Sequence, residues 1–153
     1  MKIAIVVQRY GPDVAGGAEL HARYVAEHLS RHAEVRVLTT CATDYVTWRN
    51  ELPPGTTTIG GVPVERFPVV AERDQEAFGL HSTHVFHRRH SLNDELQWLQ
   101  SEGPYCPALI DRVQRAGDEF DHVVLFTARY YQTYHAARVL NGHVVLVPTA
   151  DRD

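Results

Sequence analysis

Two adjacent glycines, Gly16 and Gly17, lie between a short apolar run, Ile3–Val7, and a stretch of helical spacing that begins near Ala18-Glu19. The chemistry this permits is anion binding. The first backbone N–H groups of a helix have no partner within it, and they point with the positive end of the helix dipole at whatever lies in front of them. Glycine carries no Cβ, so a phosphate can come close to that backbone. A second chemical segment is Thr127-Ala128-Arg129-Tyr130-Tyr131. It follows the apolar run His122–Phe126, at the carboxyl end of an expected strand, where open α/β sheets bind ligands. Thr127, Arg129 and Tyr130 are therefore expected to line a cleft, the alternative being that Tyr130 and Tyr131 only close the core. A third segment holds His81, His84, His87 and His90 at regular spacing of three. On a helix they would fall near one face. A metal site is one reading. The preferred reading is a basic, solvated face beside the cleft, because ligation needs converging geometry and oriented outer partners. No metal is expected.

Strands and helices must alternate to position these groups. Ile3–Val7 reads as a strand buried on both faces. Ala18, Ala22, Val25, Ala26 and Leu29 form one face of a helix, and Val35–Leu38 is the next strand, so the opening is one βαβ unit. Thr43–Gly55 reads as a loop containing Trp48. Thr56–Val69 reads as strands around Gly60-Gly61, and Pro63 and Pro68 favour a sheet edge. Residues 71–91 are the least regular part. Leu92, Leu96 and Leu99 mark the inward face of a helix. Leu109, Ile110, Val113 and Ala116 mark another, closed by Gly117. A short helix over Tyr134–Leu140 and a last strand, His143–Val147, complete the pattern. The expected fold is α/β: a Rossmann-like three-layer sandwich with a mainly parallel sheet, in one domain spanning 1–153.

The common nucleotide signatures are missing. There is neither G-x-x-x-x-G-K-[ST] nor G-x-G-x-x-G. The second strand ends in Thr39-Thr40-Cys41, with Asp44 the nearest acid, so the ribose-binding acid of a dinucleotide fold is not in place. A net charge of −4 does not point to nucleic acid. Lys2 is the one lysine; arginine carries the remaining positive charge and suits phosphate or carboxylate recognition. Cys41 and Cys106 form no disulfide framework and read as reduced thiols, and the amino terminus lacks the pattern of a secretory signal. A cytoplasmic protein is expected, and no segment is long enough to span a membrane.

The opening K-I-A-I-V-V-Q-R-Y-G-P-D-V-A-G-G-A-E-L-H resembles the start of family-4 retaining glycosyltransferases of GT-B architecture. So do the stretches G-V-P-V-E-R-F-P-V, W-L-Q-S-E-G-P-Y-C-P-A-L-I and F-D-H-V-V-L-F-T-A-R-Y-Y-Q-T. The resemblance covers the whole chain but only the amino-terminal, acceptor-side half of such an enzyme. It implies that a carboxy-terminal donor-binding domain is missing here, and that Gly16 and Gly17 face the diphosphate of a UDP- or GDP-linked sugar. It implies an acceptor cleft formed by Arg9, Tyr10, Arg66, Arg73 and residues 127–131. Glu19 then either caps the helix start, the preferred reading, or touches the sugar. Asp151 stands where the family's P-T-A-H-D-E segment carries a histidine, so no catalytic residue is carried over. The resemblance also implies substrates rather than a bound cofactor, and allows peripheral membrane contact through lipid-linked acceptors.

Two functions follow as expectations. The first is the acceptor-side domain of a sugar-nucleotide-dependent glycosyltransferase, inactive by itself because an open single domain cannot exclude water or complete the donor site. The second is a free-standing α/β module that binds an anionic ligand or a protein without catalysis. A flavodoxin-type or dinucleotide-dependent reductase is disfavoured by the acid missing after the second strand.

Overall fold

Ile3, Ala4, Ile5 and Val6 are buried because strand β1 (Lys2–Val6) has a parallel neighbour on each side and packed side chains on each face. The computed structural model, which describes residues 1–149, continues with helix α1 (Gly17–Leu29) and strand β2 (Glu34–Thr40). A hairpin of β3 (Gly55–Ile59) and β4 (Val62–Phe67) follows. Next come helices α2 (Gln75–His87), α3 (Leu92–Glu102) and α4 (Pro107–Glu119), then β5 (His122–Phe126), α5 (Tyr131–Val139) and β6 (Val144–Val147). The sheet order is β3-β4-β2-β1-β5-β6, parallel throughout except for the β3–β4 pair.

Each face of the sheet has its own core. Ile5, Val37, Val64 and Phe126 pack under Ala22 and Ala26 of α1, two small residues that let the helix approach closely. On the other face Val6, Leu38 and Leu125 pack under Leu109, Val113 and Ala116 of α4 and Ala136 of α5. An α/β sheet flanked by helices is thus what the alternating pattern predicts. A partly buried charge cluster fastens α4 to the sheet. Glu65 of β4 accepts from Arg36 Nη1 (2.6 Å) and Arg112 Nε (2.9 Å), and Arg112 Nη2 reaches Glu119 (2.8 Å).

Several expectations need correction. Strand β4, which carries Pro63, is not an edge strand; β3 is. The two-residue turn at Gly60-Gly61, both with positive φ, makes Ile59 and Val62 the closing pair. By the alternation of antiparallel pairs, Pro63 then turns its missing N–H toward β2, where pairing begins only at Val64. Residues 71–91 hold a regular helix. Asp74 caps it by accepting from the Glu76 and Ala77 amides (both 3.0 Å), and Phe78 and Phe86 pack on Trp98 of α3 rather than in the main core. No residue of α2 is buried, so the sequence showed no apolar stripe there. Leu92 faces outward, and Gly117 lies inside α4, which runs on to Glu119. The Trp48 loop is ordered around its indole, which packs with Ala42 and Val69. No helix among the described residues is long and apolar enough to cross a membrane.

Candidate functional site

At β1 the chain turns one way to β2, and it later returns past β1 to β5. The carboxyl ends of β1 and β5 therefore flank the point where the strand order reverses, and α/β sheets open a crevice there. A cleft of about 560 Å³ occupies this place. Gln8 and Arg9 come from the end of β1, Gly16 to Glu19 from the start of α1, and Thr127, Arg129 and Tyr130 from the end of β5. Arg73, Phe78 and Glu102 close it from the α2–α3 side, and Tyr45 and Thr149 complete the lining.

The two glycines have different roles. Gly16 sits before α1 with φ 152°, a backbone region that side chains avoid. A Cβ there would collide with the Glu19 carboxylate and approach Arg9 Nη2 at 3.0 Å. At Gly17 a Cβ would meet nothing within 4 Å. Both glycines are exposed, and no side chain caps the helix. The amide end of α1 thus opens at Gly17, while Gly16 makes room for Glu19.

Glu19 does not cap the helix. Its Oε1 accepts from Gln8 Nε2 and from Arg9 Nε, both at 2.9 Å. Arg9 also donates to the carbonyls of Thr43 (2.8 Å) and Ala15 (3.0 Å), which pins the glycine loop to the floor, and its guanidinium lies 5.4 Å from the centre of the Tyr45 ring. The opposite wall repeats the scheme. Glu102, 2% exposed, pairs with Arg129 Nη2 (2.8 Å) and Arg73 Nη2 (3.2 Å). The Glu102 carbonyl accepts from Trp48 Nε1 (2.7 Å) and Arg73 Nε (3.0 Å). Arg73 stacks over Phe78 and Trp48, and burial pulls its guanidinium below the usual arginine value against the opposing charge of Glu102. Burial raises the Tyr130 phenol, with the Arg129 charge acting the other way, so Tyr130 stays neutral near pH 7. Thr127 has φ 68°, a rare state for a β-branched residue and one that concentrates at ligand sites. Its Oγ1 accepts from Thr149 Oγ1 at 3.0 Å.

Three arginines and two glutamates face the cleft, and the start of α1 adds partial positive charge. Both carboxylates are already paired with guanidinium groups, Glu19 with Arg9 and Glu102 with Arg73 and Arg129, which disfavours a role for either in shuttling a proton.

Of the residues singled out in the sequence, Arg9, Gly16, Gly17, Glu19, Arg73, Thr127, Arg129 and Tyr130 come together here. Tyr10 and Arg66 do not. Tyr10 is 1% exposed beneath α1, its phenol pushed up to about 12 by burial, and Arg66 is buried with Nη2 donating to the Tyr10 carbonyl at 3.2 Å. Asp151 lies outside the described residues. Gln8, Tyr45, Phe78, Glu102 and Thr149 were not foreseen. Glu102 had a signal: an acid in the last turn of a helix opposes the dipole unless cations hold it. Asp44 accepts within its own turn, from Val46 and Thr47. Three of the four histidines meet α3, and none of the four lines the cleft. His81 pairs with Ser101 (3.1 Å), His84 lies 3.8 Å from Asp94, and His90 meets Glu95 at 2.9 Å. Among the described residues no group of three His, Cys, Asp or Glu could hold a metal ion. Cys41 and Cys106 are buried, which raises both thiols, Cys106 to about 11.

No protein-family model, curated protein or solved structure matches this chain.

Proposed function

We propose that this chain is the acceptor-side half of a GT-B-type retaining glycosyltransferase, and that its cleft receives the diphosphate of a UDP- or GDP-linked sugar. The observation that carries this reading is the uncapped start of α1 at Gly17, opening into a cleft bordered by Arg9, Arg73 and Arg129. In the transfer, the bond from the anomeric carbon to the diphosphate breaks and a bond to an acceptor hydroxyl oxygen forms. The hydroxyl proton leaves with the nucleoside diphosphate. Negative charge grows on the departing oxygen, and preorganised backbone amides and guanidinium groups stabilise it there. A second domain supplies the nucleoside pocket in this reading, so the present chain holds the diphosphate weakly and does not turn over. The charged side chains of the lining, Arg9, Arg73 and Arg129 among them, also suit the second reading, a stand-alone module for an anionic ligand.

Turnover assays with UDP- and GDP-sugars, run beside equilibrium dialysis of UDP, GDP and pyrophosphate, test the proposal. The expected result is weak diphosphate binding without transfer. Binding of none of the three would contradict it.

A further inference from the structure

The row His81, His84, His87 and His90 has no part in the cleft, and it lies along a loosely held element. Helix α2 buries no residue. Phe78 and Phe86 pack on the Trp98 ring of α3, whose Nε1 donates to Ser82 Oγ at 2.9 Å. An element with few buried apolar contacts sits at the low end of local stability. Phe78, and Arg73 just before the helix, nevertheless form one wall of the cleft.

His90 bridges the two helices. Its Nδ1 lies 2.9 Å from the carbonyl oxygen of Arg88, the residue that ends α2, and its Nε2 lies 2.9 Å from Glu95 Oε1 in the first turn of α3. A carbonyl and a carboxylate only accept hydrogen bonds. Both contacts are satisfied only when both ring nitrogens carry protons, so this geometry belongs to the imidazolium. The neutral ring must give up one of the two. A cation also suits the carboxyl end of α2. His84 adds a looser contact, its Nε2 3.8 Å from Asp94 Oδ2. Hydrogen bonds from the Ser91 amide and hydroxyl hold that carboxyl below the ordinary aspartate value. His81 needs no charge: Ser101 Oγ donates to the Trp98 carbonyl and accepts from His81 Nδ1 at 3.1 Å, which a neutral ring supplies.

We infer that the turn between α2 and α3 is a pH-sensitive latch, in which the His90 cation ties the end of one helix to the start of the next and loss of its proton frees the carboxyl end of α2. Glu95 and Asp94 act on His90 from α3, Arg88 and Arg89 precede it in the turn, and Arg129 and Tyr134 line the same groove as His90 and Glu95. Arg129 is itself paired with Glu102. The Arg88 carbonyl and Glu95 raise His90 above its ordinary 6.5, with desolvation acting the other way. A group raised in the latched state holds fully below 6.5, and the latch is lost as pH rises through the raised value. None of this depends on what the cleft binds.

Nitrogen-15 shifts of the imidazoles, followed in the complete chain from acid to alkaline pH, read the latch directly. His90 should titrate above 6.5 and move back toward it in Glu95→Gln. Hydrogen exchange at about pH 5.5 and about pH 8, corrected for the intrinsic rate, should show α2 amides losing protection about two- to fivefold at the higher pH, the range of exposed ion pairs. Amides of α4 and β1 should not change. His90→Arg, its fold checked by circular dichroism, keeps the charge at both pH values and should abolish the loss. A His90 that titrates at or below 6.5, or is unmoved by Glu95→Gln, overturns the inference. So does α2 protection that stays level, falls equally throughout the chain, or falls as much in His90→Arg.

Discussion

The Glu19 carboxylate stands where the Cβ of any residue other than glycine at position 16 would have to be. This one relationship divides the roles of an adjacent pair that look alike in the sequence. Gly16 lets the chain turn into α1 and admits a buried carboxylate held by Gln8 and Arg9. Gly17 leaves the amide end of the helix open to the cleft.

Substitution of the two glycines should separate stability from binding. Gly16→Ala places an L side chain at φ 152° and displaces Glu19 from its partners. Its cost is about 1–3 kcal/mol, read as a lower urea midpoint. Gly17→Ala meets no atom and removes freedom from the unfolded chain, so stability should hold or rise by about 0.4–1 kcal/mol. The same methyl group obstructs the approach to the helix amides and should weaken pyrophosphate binding severalfold. Equal loss of stability in both variants would refute this division.

Glu102 links two arginines from different elements, and its side chain and backbone contribute separately. Glu102→Ala leaves the carbonyl bonds to Trp48 and Arg73 intact but strands the buried Arg73 charge. Removing one partner of a buried pair costs about 3–5 kcal/mol. Because Arg129 is half exposed, the loss should fall near the lower figure. Chemical denaturation of Glu102→Ala and Glu102→Gln checks it, and a loss below about 1 kcal/mol in Glu102→Ala would contradict the pairing.

Acid should loosen the attachment of α4. Burial pushes the Glu65 carboxyl up, but hydrogen bonds from Arg112 and Arg36 and their charges outweigh it and hold the group below the ordinary glutamate value of 4.5. A carboxyl depressed in the folded state contributes stability that is complete above 4.5 and is lost as pH falls through the lower folded value. Urea midpoints between neutral pH and about pH 3 should therefore fall more steeply in the parent than in Glu65→Gln. Parallel curves would show that the network does not hold Glu65 ionised.

The sheet strands were legible because Ile3–Val7 and Val123–Phe126 are continuous apolar runs and Val35–Leu38 is apolar but for Arg36. Helix α2 was not, since it buries no residue and its aromatic side chains meet α3 instead of the sheet. The cleft could be read where a residue sits at a strand end or helix start, as Arg9, Gly17 and Thr127 do. Tyr10 follows a strand and Arg66 sits near the end of one as well, yet Tyr10 is buried beneath α1 and Arg66 turns to the Tyr10 carbonyl; position along the chain was visible, but the face was not. Glu102 was hidden for a different reason. Its partners Arg73 and Arg129 lie 29 and 27 residues away in the chain, and only the packed fold brings the three together.

The open amide end of α1 is best tested by amide chemical shifts of the chain titrated with UDP, GDP and pyrophosphate. The account predicts shifts that cluster at Gly16, Gly17 and Ala18 and extend to Arg9, Thr127 and Arg129, and that shrink in Gly17→Ala. Shifts confined to other surfaces, or none at millimolar ligand, would contradict it.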